Sequence, residues 1–377
     1  MLRWWTKGGL TTALALMLIT LCSGVGVYLL LSSHRTTGAR VVKRPTDVNR
    51  PAADAPINHL PGTIYLIEKG ALYQLRAGTY SMLLPPAGWT QPSTTAGAPG
   101  LLLAKRDAAY SDLYLMGSDG KAQTQLTHNA NRTLEANHWA FYPRFSQDGT
   151  NVFFSYDSPK FGYEVDLSVW SMPLSGSIVE ARKWTTPSSY TGGDVEPVPL
   201  LSGALLYAKY SIVDSEVLAQ LWVMDLPGGQ GRPLTTPQED CSQAALSPDG
   251  RQLAMVCSGD RQSGTLMVAP FAGDTIGPLT AVVAGGELAE PTWAPDSSGL
   301  VYLAPSATAG PFQLWWVGLP NVHSASPAAS PLSGQPEDRT LLRPQATGAR
   351  PTAPAPPGPI QLTSSLDFDA TSTIAWQ

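Results

Sequence analysis

The sequence predicts an all-β fold, a six-bladed β-propeller of four-stranded antiparallel blades, and three observations point to it. One hairpin is written repeatedly: "AALSPDGRQLAMVCS" from Ala244, "RFSQDGTNVFFSYDS" from Arg144 and "TWAPDSSGLVYLAP" from Thr292 each set apolar runs on either side of a turn. These turns fall about 50 residues apart, the spacing of a repeat architecture. The segment after Gly62, "GTIYLIEKGALYQLRAGTYSMLLPP", supplies three strands and lacks an innermost one, whereas the chain ends in "FDATSTIAWQ", an innermost strand with no hairpin after it. The C-terminal strand is therefore expected to complete blade one and close the ring, which removes exposed sheet edges.

Composition agrees. In 377 residues there are 34 Pro and 35 Gly and only 14% charged residues, a mixture suited to short strands and tight turns. A net charge of -5 gives no reason to expect a nucleic-acid polyanion as partner, and that class is set aside.

Taken in order, residues 1–9 form a short tail, and residues 10–31, "LTTALALMLITLCSGVGVYLLL", carry no charge. A run of this length crosses a hydrocarbon core of about 30 Å as a helix, so a transmembrane signal-anchor is expected. Leu21 stands where a lipidated Cys22 needs a small neighbour, and no small-x-small cleavage site follows. Arg3 and Lys7 precede the span while Arg35, Arg40, Lys43 and Arg44 follow it, a balance that favours a cytoplasmic domain. The very short N-terminal tail and the cysteine pair below point the other way, and an extracytoplasmic propeller is the expectation carried forward. Residues 32–61 are proline-punctuated without period and read as a flexible linker, with order from Gly62 onward.

Residues 62–377 form the propeller. First-hairpin turns fall at Ala98–Gly100, Gln147–Gly149, Leu201–Gly203, Pro248–Gly250 and Pro295–Gly299, each followed by an apolar strand such as "LLLAKR" or "NVFFSY". Pro supplies a fixed φ, Asp bonds its own backbone and Gly tolerates positive φ, so the turn aspartates are structural. Third strands such as "SDLYLM" and "AQLWVMD" follow, and fourth strands are placed on Leu126-Thr127, Trp184-Thr185, Leu234-Thr235, Leu279-Thr280 and Leu362-Thr363. Residues 320–359, rich in Pro, Ala and Ser, are expected to be a disordered loop inside the last blade.

The succession of "SPDG", an apolar strand, "LW" or "LY" with a following Asp, and a terminal Leu-Thr resembles the TolB-type, WD40-like six-bladed propeller family across residues 62–377. Blades three, five and six carry the pattern, while blades one and two lack the Asp of the first turn. The resemblance implies a fold and not an activity; such domains are usually extracytoplasmic scaffolds that bind proteins, and they also form the propeller half of some peptidases.

Candidate site residues gather where blades begin. Asp194 and Glu196, Glu239 and Asp240, Glu287 and Glu290, and Asp367 and Asp369 precede innermost strands, with His138, Trp139, Tyr142 and Arg144 at the equivalent place in blade three. At a channel mouth such carboxylates hold a cation such as calcium or attract a basic partner segment, or else bond to local turns. Cys241 and Cys257 lie symmetrically about Asp249 and face each other across a hairpin, which leaves a disulfide and two buried thiols open. The five histidines show no metal-ligand spacing, and no nucleophile elbow or phosphate loop is present. The functional expectation is a non-enzymatic, membrane-anchored scaffold for a protein or peptide partner. Its rival is a propeller enzyme or ligand-binding sensor acting on a polysaccharide or peptide at the channel mouth.

Overall fold

A computed structural model describes residues 56–158, 160, 166–259, 263–307, 309–319 and 358–377. They form six antiparallel sheets. From the innermost strand outward, blade one is Ala375–Trp376, Thr63–Glu68, Ala71–Arg76 and Thr79–Leu84; blade two is Trp89–Ser93, Leu101–Arg106, Ser111–Met116 and Thr124–Gln125. Blade three is Ala140–Phe145, Asn151–Tyr156, Ser168–Pro173 and Arg182–Lys183; blade four is Asp194–Pro199, Leu205–Val213, Glu216–Met224 and Gly231–Pro233. Blade five is Cys241–Leu246, Gln252–Cys257 and Thr265–Ala272, its outer position shared by Thr275–Ile276 and Thr280–Ala284; blade six is Ala289–Trp293, Gly299–Pro305, Phe312–Gly318 and Ile360–Gln361.

Why the second strands are apolar throughout follows from their two buried faces. Successive side chains point to opposite faces of a strand, so Leu101 and Leu103 pack against blade one while Leu102 and Ala104 pack against blade three. The same division puts Phe153 toward blade four, Leu206 and Ala208 toward blade five, and Ala254 and Val256 toward blade six. Each of the six apolar clusters thus fills one blade–blade interface, the last joining Val301 and Leu303 to Ile64 and Leu66.

That last interface is held by the returning chain end. Thr63 N donates to Gln377 O at 2.6 Å, and Gln377 N to Thr63 O at 3.1 Å. Trp376 Nε1 reaches Pro61 O at 2.6 Å, and its ring meets Trp316 edge-on at 5.9 Å. Only glycine fits at position 62: φ is +71°, and a Cβ there would lie 1.9 Å from Gln377 O. Ile57 is buried in this same cluster, so the 3-10 turn Pro56–Asn58, ahead of the expected start at Gly62, packs with the propeller.

The turns behave as their chemistry demands. Asp148 Oδ1 accepts from Thr150 N at 3.0 Å and Asp249 Oδ1 from Arg251 N at 3.1 Å, with Gly149 and Gly250 at φ +70° and +71°. The hydroxyl of Ser146, foremost, holds the Asp148 carboxyl below its ordinary value.

The Leu-Thr dipeptides have a different role from the one expected. In four blades they sit just past the fourth strand, where the threonine hydroxyl accepts a third-strand N–H at 2.9 Å: Leu113 to Thr127, Val169 to Thr185, Leu221 to Thr235 and Leu314 to Thr363. The preceding Leu or Trp N–H returns to the carbonyl of the same third-strand residue, at 2.7–2.8 Å. Blade five departs from this, since Thr280 lies inside a strand.

Among the described residues no helix is long and apolar enough to cross a membrane. The expected span 10–31 lies outside them, as do nearly all of the linker and residues 320–357 of the predicted loop.

Candidate functional site: a bulged ring around the channel

In blades two to six the innermost strand slips register at one place: between Thr90 and Ser93, Phe141 and Arg144, Val195 and Val198, Ser242 and Ala245, and Ala289 and Thr292. At each slip a non-glycine residue takes the left-handed conformation: Gln91 (φ +53°), Tyr142 (+52°), Glu196 (+56°), Gln243 (+54°) and Glu290 (+53°). Such a conformation costs about 1–2 kcal/mol, and five repetitions call for a compensating gain. It comes from the neighbouring blade. Gln91 Oε1 accepts the Tyr142 N–H at 2.7 Å, Glu196 Oε2 accepts Gln243 N–H at 2.6 Å, and Gln243 Oε1 accepts Glu290 N–H at 2.9 Å. Gln91 N–H in turn donates to Ser372 Oγ of blade one at 2.7 Å. At Gln91, Glu196 and Gln243 the bulge turns the side chain across to the next blade, and these bonds form a belt around the central axis. Among the described residues the belt is open between blades three and four and between blades six and one.

Charge collects at this belt. Arg144, two residues beyond the Tyr142 bulge, is half-buried by solvent contact yet enclosed by protein, the signature of a group lining a narrow channel. Burial pulls its guanidinium down, against the opposing pull of Glu290 and Glu196. Burial raises the Glu196 carboxyl, while the Gln243 N–H and Arg144 act to lower it. Glu290 is pushed up to about 8, by burial and then by the Glu196 charge, with Arg144 opposing. The two carboxyls titrate as a pair; Glu290 holds the proton more tightly because its carboxyl lacks the backbone bond that Glu196 has.

At the end of the channel where the innermost strands begin lies a cavity of about 660 Å³. Trp139 and Phe141, stacked at 5.7 Å and 14°, form one wall, with the Arg106 guanidinium 5.8 Å from the Trp139 ring. Tyr142, Tyr210 and Glu196 complete it, and burial pushes both phenols up, so they stay neutral. Tyr210 stands at the base of the long blade-four hairpin, whose strands run nine residues against six to eight in the second and third strands of the other blades. A second cavity of about 360 Å³ opens at the opposite end, lined by Arg144, Phe145 and Trp293.

The structure brings Arg144, Glu196 and Glu290 together, with Trp139 at the mouth above them. The other candidates are engaged locally. His138 Nδ1 lies 2.8 Å from Asp157 Oδ1, and Lys160 pairs with the second oxygen of that aspartate at 3.2 Å. Asp194 pairs with Lys209 at 3.1 Å; burial raises its carboxyl against that partner. Glu239 closes a capping box on Thr236, and Asp240 Oδ1 accepts the Ala219 N–H at 2.8 Å. Asp367 lies 3.9 Å from Lys69, and Asp369 caps the turn at Thr371. The expectation that the carboxylates precede their strands is corrected for Asp194, Glu196 and Glu290, which lie inside them, the last two at bulged positions of the belt, whereas Glu239, Asp240, Asp367 and Asp369 do precede theirs. Among the described residues no group of three or more His, Cys, Asp or Glu is placed to hold a metal ion. Cys241 and Cys257 are directly opposite in register and joined, Sγ to Sγ, at 2.09 Å.

Sequence reasoning missed Gln91, Gln243, Tyr210, Phe141 and Arg106. A signal existed: Gln91-Pro92, Tyr142-Pro143, Glu196-Pro197 and Glu290-Pro291 repeat a bulky or polar residue before proline at one register of four innermost strands.

Comparison with known proteins places this geometry. Residues 223–314 match the model of the lipoprotein LpqB β-propeller domain. TolB from Acinetobacter baumannii shares the fold with TM-score 0.55 at 16% identity, covering 69% of this chain and 61% of that one. A TolB structure from Agrobacterium tumefaciens gives TM-score 0.50 at 14% identity, over 69% of this chain and 86% of that one. No curated protein matches the sequence. In fold the chain is a TolB-like six-bladed β-propeller.

Proposed function

We propose that the protein is a non-enzymatic scaffold, anchored to a membrane through residues 10–31, whose propeller binds a protein or peptide partner at the aromatic mouth of its channel. One observation carries this reading: the cavity of about 660 Å³ at the channel entrance, walled by Trp139, Phe141, Tyr142 and Tyr210 and floored by Glu196. Aromatic side chains offer large, rigid contact area together with a polar edge, the composition of protein-recognition hot spots. The stacked Trp139–Phe141 pair is preformed, so little side-chain ordering remains to oppose binding. The TolB-like fold supports a binding platform, and the lipoprotein description of the matching family supports an extracytoplasmic propeller, as does the Cys241–Cys257 disulfide.

The test is site-directed photocrosslinking in native membranes. A benzoylphenylalanine at Tyr190, 77% exposed and adjacent to the cavity-lining Thr191, is expected to trap one discrete partner. The same group at Val179, 90% exposed on the loop at the opposite end, is expected to trap none. Equal or absent crosslinks at both positions would remove the mouth as the binding face.

A further inference from the structure

We propose that the channel, at the level of the bulged belt, is a binding site for one organic cation: the ammonium or guanidinium of a lysine or arginine side chain on a partner segment entering from the aromatic mouth. The proposal rests on the protein-binding reading above and specifies what the partner must carry.

Glu290 is 7% exposed, yet among the described residues its carboxyl has neither a hydrogen bond nor an ion pair, although its own backbone N–H is taken by Gln243. A carboxylate withdrawn from water is costly unless charge or donors replace the solvent. The groups facing it come from three blades: Glu196 and Tyr210 of blade four, Arg144 and Tyr142 of blade three, and Asp369 from the segment leading into the closing strand of blade one. Both phenols are neutral, so the charged groups facing Glu290 are two carboxylates, Glu196 and Asp369, and one guanidinium.

Those charges are already partly committed. Glu196 gives Oε2 to Gln243 N–H, and Asp369 gives Oδ1 to the Thr371 turn. Arg144 forms no ion pair within 4.0 Å among the described residues and stands apart from both glutamates. Empty of guests, the site is least costly with Glu290 protonated, the state that burial and Glu196 favour. A cation entering the belt offers Glu290 the partner it lacks and displaces that proton to solvent. An anion would meet Arg144 together with the Glu196 and Asp369 carboxylates and would leave Glu290 without a partner. A lysine stem also has a place to lie, since Trp139 and Phe141 wall the approach and methylenes pack well on aromatic faces.

A random linear peptide library on phage, panned against the full chain at about pH 9, supplies the probes. Recovered peptides are expected to share a Lys or Arg, and replacing it by norleucine should weaken binding at least tenfold. Because the cation needs ionised Glu290, the wild-type affinity should rise on the order of thirtyfold between about pH 6.5 and about pH 9. Glu290→Gln should bind the same peptides weakly and with no pH dependence over that range. Peptides that bind the mouth without a basic residue, or whose affinity survives norleucine, overturn the cation site while leaving the scaffold reading intact. Failure to recover any peptide overturns both. The norleucine comparison needs no protein variant and stands even where Glu290→Gln does not fold.

Discussion

Glu290 makes the stability of the protein depend on pH in an unusual direction. Its carboxyl rises from 4.5 to about 8 on folding, so the native state holds the proton more tightly than the unfolded chain. Between about pH 4.5 and about pH 8 stability therefore falls as pH rises, by up to ~1.4 kcal/mol per unit. Denaturant midpoints measured across that window should decline, and Glu290→Gln should flatten most of the slope. A second residue-scale outcome concerns the threonines after the fourth strands. Thr235→Val keeps the shape but leaves the Leu221 N–H without its side-chain acceptor, at a cost of about 1–3 kcal/mol. Thr280→Val in blade five, where the side chain is exposed, should stay within about 0.5 kcal/mol. Urea titration of both variants checks the contrast. The recurrence of these threonines was legible in the sequence and their task was not, because a dipeptide that ends a strand and one that caps it look alike. Glu196 and Glu290 were legible as acidic residues near a blade's start. That both sit at the belt follows from a left-handed backbone at a residue before proline, which hydrophobic periodicity does not report.

Among elements, the first hairpin of blade five is the one with a covalent tie. Cys241 and Cys257 are separated by 16 residues, and closing a loop of that length stabilises by about 3 kcal/mol through the unfolded chain. Reductant should lower the thermal midpoint of the wild type and leave the double variant Cys241→Ala/Cys257→Ala unmoved. Equal sensitivity in both would assign the effect elsewhere. The hairpins themselves were readable because each carries its own turn chemistry, "SPDG" above all, flanked by strands buried on both faces. In four blades the fourth strand was placed about two residues late, since a strand of two or three residues such as Thr124–Gln125 or Gly231–Pro233 has too little apolar pattern to announce itself. The bulges were unreadable as elements: each breaks the alternation at a single position, too brief an interruption to stand out in a five- or six-residue strand, and is defined by a register slip against the partner strand.

For the molecule as a whole, closure is the decisive interaction. Trp376 fills the last interface, so Trp376→Ala should cost about 3–5 kcal/mol, the range for removing a buried aromatic, and should act on the entire ring rather than on one blade. A single cooperative transition displaced to lower temperature is the expected calorimetric result; a separate early transition of blade one would contradict it. The closure itself was legible, because three strands at one end and one at the other complete a single sheet. It also sets a clock. The hydrogen bond from Gln377 to the Tyr65 hydroxyl spans 312 residues, and at about 5–20 residues per second a ribosome needs roughly 15 to 60 seconds to make that much chain. Throughout that interval the earliest blade waits as a three-stranded sheet with one edge bare, so the newborn chain depends on whatever shields that edge until its last strand arrives.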